Sequence, residues 1–306
     1  MAVLLKVAVF LGICTAFVAV LVAWYTKENF DPESVRGKKV VICGASTGIG
    51  EELAYQYAKL GAQLLLVARR EEALKKVVVR CGELGAQQAN YVVADLSSLE
   101  AAKRLAAETN KLFDGPDVLI LNHFMPFYEI WNQNSNLDNV PRYFAVNTIS
   151  YINIATLLLP GLQKTNGSIV VVSSFVGVVS APRTAPYCGN KHALHGFFDT
   201  LRQDLALQGH NGISITLCVL GYIDTKNARE FIKALPAGKS VKTVKPEPVD
   251  ECALAMIKGA AQRKRQMYFP WYLNIIETAH FFFPNFVESV IQVASNEKPP
   301  ENMLKW

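Results

Sequence analysis

The sequence has few cysteines, and their spacing excludes a disulfide or zinc framework. The six are Cys14, Cys43, Cys81, Cys188, Cys218 and Cys252. None stands in a paired motif, and several lie within apolar runs, as buried thiols do. We therefore predict no metal site, and cysteine usage does not decide the compartment of the protein.

Excess charge of one sign is also scarce. The chain has 31 Lys and Arg against 26 Asp and Glu, and the net charge of +5 is spread along it. The largest basic cluster, Arg263-Lys264-Arg265, is typical of a solvated helix end. We predict no nucleic-acid partner. There is no internal repeat and no low-complexity tract.

Apolar residues, in contrast, make up 51% of the chain. Short apolar strands alternate with helical stretches, which favours an α/β fold: a doubly wound (Rossmann), mostly parallel sheet with helices on both faces. The predicted divisions are a membrane anchor or signal sequence over 1–26, a linker over 27–36, a Rossmann catalytic domain over 37–266 and an aromatic C-terminal extension over 267–306.

A glycine-rich turn follows the first strand. The apolar run Lys39–Cys43 leads into Gly44-Ala45-Ser46-Thr47-Gly48-Ile49-Gly50 and then a helical pattern. A helix amino terminus presents free N–H groups and a positive dipole end, and glycine permits the close approach of backbone to a pyrophosphate. An ordinary strand-to-helix loop is the alternative. We predict cofactor contacts from Gly44, Ser46, Thr47, Gly48, Ile49 and Gly50.

The second strand ends in arginines where a carboxylate would select NAD. About 20 residues after the glycines, an Asp or Glu would bind the ribose 2′-hydroxyl. This chain has Arg69 and Arg70 instead. A guanidinium matches a phosphate in charge and hydrogen bonding, so NADP(H) is predicted. Alternatively, one arginine pairs with Glu71 or Glu72 on a solvated face.

Tyr187 and Lys191 form a Y-x-x-x-K pair, and Ser174 ends an apolar run upstream. Residues four apart lie on one helix face, and a nearby ammonium is expected to lower the phenol pKa towards the working range. The serine would emerge at the carboxyl end of its strand, where open α/β sheets bind ligands. We predict Ser174, Tyr187 and Lys191 to be catalytic.

Taken together, these motifs resemble the short-chain dehydrogenase/reductase family over about residues 36 to 266. The resemblance implies that Asn147 completes a catalytic tetrad and holds a water that links Lys191 to solvent. It also implies that Lys191 and Tyr187 contact the cofactor. The further cofactor-binding residues implied are Asp95, Leu96, Asn122, Ile223 and Thr225.

Within that family, Leu121-Asn122-His123 and the stretch 214–221 resemble the eleven-beta-hydroxysteroid dehydrogenase type 1 branch. The resemblance implies an NADP(H)-dependent oxidoreductase that interconverts a hydroxyl and a ketone on a steroid, with a retinoid or another lipid carbonyl as the alternative. The implied substrate-binding residues are Ser174, Tyr187, Phe175 and Tyr222, with Ala181 also in the wall.

On chemical grounds, Tyr187 would protonate the developing alkoxide while Ser174 hydrogen-bonds the same oxygen. His123 is assigned a loop or supporting role. An inactive cofactor-binding membrane scaffold is the alternative of another class. It is disfavoured because Ser174, Tyr187 and Lys191 are all present.

The amino-terminal run from Val7 to Tyr25 is apolar and uncharged. It is long enough to cross the roughly 30 Å hydrocarbon core, and an uncleaved anchor is favoured over a cleaved signal peptide. Flanking charge predicts a cytosolic domain, whereas the resemblance implies the endoplasmic reticulum lumen. We expect a single-pass endoplasmic reticulum membrane protein with a lumenal domain, the alternative being secretion after cleavage.

The carboxyl-terminal extension is rich in aromatic residues, which can pack on the core, form a homodimer contact or enter the bilayer. We expect core or homodimer packing ahead of membrane contact. The residues are Tyr268, Phe269, Trp271, Tyr272, Phe281, Phe282, Phe283 and Phe286.

Overall fold

A computed structural model describes residues 30–234 and 245–295. The predicted anchor over 1–26 lies outside the described residues, as does the first part of the linker. The described residues from Pro32 onwards form one compact unit.

Seven strands form one parallel sheet in the order β3-β2-β1-β4-β5-β6-β7. The chain winds outwards from β1 in both directions, so the predicted doubly wound α/β fold is confirmed. The strands are β1 (Lys39–Cys43), β2 (Gln63–Ala68), β3 (Gln88–Val93), β4 (Val118–Leu121), β5 (Ser168–Val172), β6 (Ser214–Leu220) and β7 (Gln266–Phe269).

The last strand corrects one predicted boundary. β7 pairs with β6 through Leu217↔Gln266 and Leu220↔Phe269, so residues 267–269 belong to the sheet and not to the extension. Only four residues long, this strand has too little length to show a period in the sequence.

Helices cover both faces of the sheet, as right-handed crossovers between parallel strands require. The helices α1, α2 and α7 pack on one face, and α3, α4 and α5 on the other. The helical segments are α1 (Gly48–Lys59), α2 (Glu71–Glu83), α3 (Leu99–Phe113), α4 (Leu137–Thr165), α5 (Ala185–Leu207), α6 (Lys226–Ala234), α7 (Val249–Ala261), α8 (Leu273–Phe282) and α9 (Pro284–Ala294).

The central strands are buried on both faces. All seven residues of β6 are buried, which explains why the sequence there is apolar without alternation. Strand register also aligns the carboxyl ends: Cys43 lies opposite both Val67 and Leu121, and Val172 lies opposite Cys218. The loops that follow these strands therefore open at one edge of the sheet.

Helix α4 has an internal irregularity that matters for the site. A π-helical turn, Ala145–Ile149, interrupts it and carries Asn147. Among the described residues, α4 is long and apolar enough to cross a membrane, but half of its most apolar window is buried in the protein. It packs against α3 and β4, so it is a core helix of the unit.

The aromatic extension forms α8 and α9. Pro284 is at the start of α9, where the missing N–H and fixed φ of proline suit a first helical turn. The prediction that these aromatics pack on the core is wrong for several of them. Trp271, Phe281 and Phe286 are 72%, 80% and 70% exposed. Phe282 and Phe283 are exposed as well.

Candidate active site

A cavity of about 500 Å³ opens at the carboxyl edge of the sheet, where the loops after β1, β2, β3, β4, β5 and β6 meet. Its size suits a cofactor or a small ligand. The predicted site residues that line it are Gly44, Ser46, Thr47, Gly48, Ile49, Arg69, Arg70, Asp95, Leu96, Asn122, Ser174, Tyr187, Lys191, Tyr222, Ile223 and Thr225.

The first glycine lets the turn pass close to the neighbouring strand. Gly44 has φ +86°, and a Cβ there would lie 2.7 Å from the backbone of His123. The amide of Asn122 donates to the carbonyl of Gly44 at 3.1 Å, which fixes the turn against the loop after β4. Asn122 therefore acts on the turn as well as lining the cavity.

Gly50 was predicted to contact the cofactor, but it does not line the cavity. A Cβ at this position would lie 2.1 Å from the carbonyl oxygen of Gly44 and 2.7 Å from the amide nitrogen of Asn122. Its function is to let α1 pack directly on the turn, because no larger residue fits between them.

The predicted arginines, Arg69 and Arg70, both line the cavity. The guanidinium of Arg70 donates to the hydroxyl of Thr47 at 2.9 Å and to the hydroxyl of Ser46 at 3.2 Å. The alternative pairing with Glu71 or Glu72 is not found, because both carboxylates lie within 3.3 Å of the ammonium of Lys75.

Asp95 lies at the same edge, beyond the end of β3. One carboxylate oxygen of Asp95 accepts a hydrogen bond from the backbone of Ser97 at 3.1 Å. Burial works to raise the pKa of Asp95, but the hydrogen bonds from Ser97 and the charges of Arg69 and Arg142 together outweigh it, so the pKa is below the usual range. Asp95 is therefore a carboxylate able to accept from an amino group.

The residues present fit a phosphorylated dinucleotide. The donors of the glycine turn, two hydroxyls and two guanidiniums share one cavity with a carboxylate acceptor. Gly48 adopts φ +63°, and a Cβ on it would come within 3.2 Å of the methyl group of Thr225, so the cradle has no room for a side chain. Anions bind favourably at such a helix amino terminus.

Lys191 is buried beside Tyr187. It is 1% exposed, and its ammonium donates to the carbonyl of Val172 at 2.7 Å. The nitrogen lies 5.6 Å from the centre of the Tyr187 ring, as the shared face of α5 predicts. Burial lowers the pKa of Lys191 to about 7.

The expected lowering of the Tyr187 pKa is wrong for the protein without cofactor. Burial raises the pKa of this phenol to about 12, and the hydrogen bond with Ser174 offsets only part of the rise. The reason is that the phenol itself is buried, and a desolvated phenolate is disfavoured. The phenol is therefore held in its protonated form.

Asn147 is fully buried, and it pairs with backbone rather than lining the cavity. Its side-chain oxygen accepts from the N–H of Met125 at 2.7 Å, and its amide donates to the carbonyl of Met125 at 2.9 Å. Each end of the amide makes one of these bonds, and the water predicted at Asn147 stays a prediction. The side chain positions the loop after β4.

Residues 38–235 match the family model described as short chain dehydrogenase. The chain belongs to the short-chain dehydrogenase family. A Xenopus tropicalis protein named hydroxysteroid 11-beta-dehydrogenase 1-like protein is 41% identical over 281 residues, which is 91% of this chain and 95% of the relative. A Danio rerio protein of the same name is 40% identical over 289 residues, covering 94% and 96%.

Solved structures share the fold. An alcohol dehydrogenase from Thermococcus sibiricus, complexed with 5-hydroxy-NADP, aligns with a TM-score of 0.66 at 22% identity, over 76% of this chain and 96% of its own. An L-sorbose reductase from Gluconobacter frateurii, complexed with NADPH and L-sorbose, aligns with a TM-score of 0.69 at 21% identity, over 78% and 97%.

His123 has a supporting role in this family site. Its Nε2 lies 2.7 Å from the hydroxyl of Ser150, and its carbonyl accepts from the hydroxyl of Tyr151 at 2.7 Å. Burial, aided by the charge of Lys191, lowers the pKa of His123 to about 3. A neutral imidazole of this kind cannot supply a proton at neutral pH, so His123 holds the loop instead.

The predicted substrate wall is only partly found. Tyr222 and the half-exposed Phe124 line the cavity, together with Ser174 and Tyr187. Phe175 does not line it: the chain turns into a 3-10 turn, Phe175–Gly177, directly after Ser174. Ala181 lines a second cavity instead.

Two contributing residues carried no motif in the sequence. Asn227, in the first turn of α6, donates from its amide to the hydroxyl of Thr47 at 3.1 Å and lines the cavity. His195 follows Lys191 by one turn, and its Nε2 lies 2.9 Å from the hydroxyl of Ser173. The i, i+4, i+8 spacing from Tyr187 is the one signal that could have indicated His195.

Proposed function

We propose that this protein is an NADP(H)-dependent oxidoreductase that interconverts a hydroxyl group and a ketone on an apolar substrate, in first place a hydroxysteroid. One observation carries the proposal. Ser174, Tyr187 and Lys191 line the same cavity as the glycine turn and the two arginines. A proton donor and a dinucleotide cradle are thereby combined in one site.

The residues divide the work of ketone reduction. When bound, the cofactor supplies the hydride. Tyr187, with a pKa of about 12, keeps its proton at neutral pH and donates it to the oxygen of the substrate. The hydroxyl of Ser174 donates to the same oxygen and stabilises the developing charge. Lys191, on the same helix face, holds a cation near the phenol as it ionises.

The preference for NADP(H) over NAD(H) is assigned to the arginines. Arg70 already holds the hydroxyls of Ser46 and Thr47, so its guanidinium is oriented towards the turn before a ligand arrives. A pre-oriented fork matches a phosphate better than a mobile one. The two solved family structures named above were determined with NADPH or an NADP derivative, which supports the same choice.

The choice of a hydroxysteroid as substrate rests on the names of the similar proteins and on the aromatic residues that line the cavity. Proteins named hydroxysteroid 11-beta-dehydrogenase 1-like are about 40% identical over most of the chain. Phe124 and Tyr222 give the open side of the cavity an aromatic wall that suits a flat apolar ring system. A retinoid or another lipid carbonyl is the second candidate for the same wall.

An apolar substrate agrees with a membrane location. We propose that the run over 1–26 anchors the protein in the endoplasmic reticulum membrane with the catalytic domain in the lumen, and that the protein is a homodimer. The aromatics Trp271, Phe281, Phe282, Phe283 and Phe286 are all exposed, and the rings of Phe281, Phe282 and Phe283 lie side by side, which suits contact with a second copy. Protease protection in sealed microsomes tests the lumenal orientation of the catalytic domain. Sedimentation in detergent tests the homodimer.

The activity is tested by NADPH oxidation with a panel of ketosteroids, retinal and long-chain ketones. Turnover with a ketosteroid, lost in Tyr187→Phe while NADPH binding persists, is the expected result. The phenylalanine variant removes one hydroxyl and keeps the ring, so it isolates the proton donor. Retinal turnover alone would move the proposal to the second candidate. NADPH binding without turnover on any member of the panel would favour an inactive scaffold.

The cofactor assignment has its own test. Arg69→Ala with Arg70→Ala is expected to weaken NADPH binding by about tenfold or more, since each charge-assisted hydrogen bond contributes about 1.5–3 kcal/mol. NADH binding should change little. Lys75→Ala with Lys76→Ala removes the same charge from the exposed side of α2 and serves as control. Equal losses for NADPH and NADH would contradict the assignment.

A further inference from the structure

A second cavity, of about 750 Å³, is lined by Cys188, the residue that follows Tyr187 on α5. Its wall is largely apolar and includes Ile130, Trp131, Ala181 and Pro182. A space of this volume accepts a lipid-sized chain. None of the catalytic chemistry described above uses it.

Cys188 is part of a cluster of three polar side chains that line or border this space. Its sulfur lies 3.5 Å from Nδ1 of His192, one turn further along α5, and 3.5 Å from the hydroxyl of Ser180. Both partners also line the cavity. The thiol is half-buried, so a ligand in the cavity can reach it.

The imidazole of His192 is held in a geometry that favours its protonated form. Its Nδ1 lies 3.0 Å from the carbonyl of Cys188, and its ring also interacts with the backbone of Val176. The hydrogen bond with Cys188 and these backbone acceptors raise the pKa of His192. Burial works to raise the pKa of Cys188, but the hydrogen bonds with His192 and Ser180 lower it below its usual value.

The other described cysteines have the opposite environment. They are buried among apolar side chains, where burial raises the pKa of each thiol. Reactive cysteines combine a nearby cation with partial exposure, and buried ones are inert. Only Cys188 meets both conditions among the residues that the structure describes. The buried thiols are Cys43, Cys81, Cys218 and Cys252.

We propose that Cys188 is a reactive thiol that adds to α,β-unsaturated carbonyl compounds, and that the second cavity binds their apolar chain. The sulfur of Cys188 forms a bond to the β carbon of the ligand, and the π electrons of the C=C bond move onto the α carbon and the carbonyl oxygen. His192 returns the proton it took from the thiol to the α carbon. In sum, S–H has been added across C=C, with no oxidant or reductant.

The apolar wall decides the class of electrophile. A thiol in water reacts with small and large acceptors alike, whereas this thiol faces a space bounded by Ile130, Trp131 and Ala181. Burial of each methylene should strengthen binding of the ligand by about fourfold. Long-chain enals should therefore be preferred over small polar acceptors. The adduct would lie one residue from Tyr187, so it should also hinder turnover.

The test is labelling of the full-length protein in detergent with trans-2-nonenal or with acrylamide, followed by borohydride reduction, intact mass and peptide mapping. The expected result is one nonenal adduct, located at Cys188 and absent in Cys188→Ser. His192→Gln should slow both reagents by about tenfold, because the rate follows the thiolate fraction. Because the readout is a mass, it does not depend on the proposed oxidoreductase activity.

A cavity-filling variant tests the binding part. Ala181→Phe should slow nonenal more than acrylamide, since it occupies the space needed by the chain but leaves the thiol and its histidine in place. Circular dichroism checks that each variant is folded. Labelling mainly at other residues, an unchanged rate in His192→Gln, or an unchanged ratio of the two reagents in Ala181→Phe would each overturn the proposal.

Discussion

Lys191→Met is the change that best tests how burial controls this site. In the folded protein the ammonium is 1% exposed, and the described residues give it one hydrogen-bond acceptor, the carbonyl of Val172. An ammonium has three N–H donors, so its solvation is poorly replaced. Burial accordingly lowers the pKa of Lys191 from 10.5 to about 7.

Because the pKa of Lys191 is lower in the folded protein than in the unfolded chain, the stability of the protein should rise with pH. Between pH 7 and 10.5 the unfolded chain binds a proton at Lys191 that the folded protein has released, so the free energy of unfolding rises with pH. Below pH 7 both states bind the proton, and the dependence ends. The slope approaches about 1.4 kcal/mol per pH unit, which gives about 2 kcal/mol between pH 7 and pH 9.

The assay is urea unfolding of the cofactor-free protein in detergent at pH 7, 8 and 9, with Lys191→Met as the comparison. Methionine keeps the apolar stem and removes the titrating group. Groups present in both proteins, including Tyr187 with its pKa of about 12, cancel in the difference. The stability of the natural protein minus that of the variant should therefore rise by about 2 kcal/mol.

A difference that stays constant from pH 7 to pH 9 would refute the reasoning. It would mean that Lys191 keeps an ordinary pKa in the folded state, and hence that water in the cavity solvates it.

Three further outcomes are expected. Asn147→Ala leaves the buried N–H and C=O of Met125 without partners and should lower the free energy of unfolding by about 2–4 kcal/mol in urea titrations; a loss under about 0.5 kcal/mol would contradict this. Gly50→Ala places a Cβ 2.1 Å from the carbonyl oxygen of Gly44 and should abolish NADPH binding by calorimetry, whereas retained affinity would disprove the packing role. The ring resonances of His123 should not titrate between pH 5 and 9, because its pKa is about 3.

Several features of the site could be predicted from local sequence, because each is a motif of only a few consecutive residues. The glycine turn, the Y-x-x-x-K pair and the two arginines depend on strand and helix periods that place their side chains without knowledge of the rest of the chain. The cavity contains all of these except Gly50, whose contribution is a close contact with Gly44 that spacing alone does not distinguish from a ligand contact.

Other features depend on parts of the chain that are far apart in sequence. Asn227 meets Thr47 across 180 residues, and no motif connects the two. The pKa expected for Tyr187 from the sequence is wrong, because the sequence shows which groups are charged but not how deeply the phenol is buried. Phe175 does not line the active-site cavity, because a short 3-10 turn begins at this residue, and Ala181 lines the second cavity.

The sequence by itself determined the fold class, the family and the chemical identity of the groups at the site, because hydrophobic period, turn residues and motif spacing are local properties of the chain. Only the tertiary structure decided which of those groups share a cavity and how strongly each is desolvated. It also placed Cys188 and His192 together in the wall of the second cavity. These depend on packing between distant segments, and burial sets the proton affinity of Lys191 and Tyr187 as much as their residue type does.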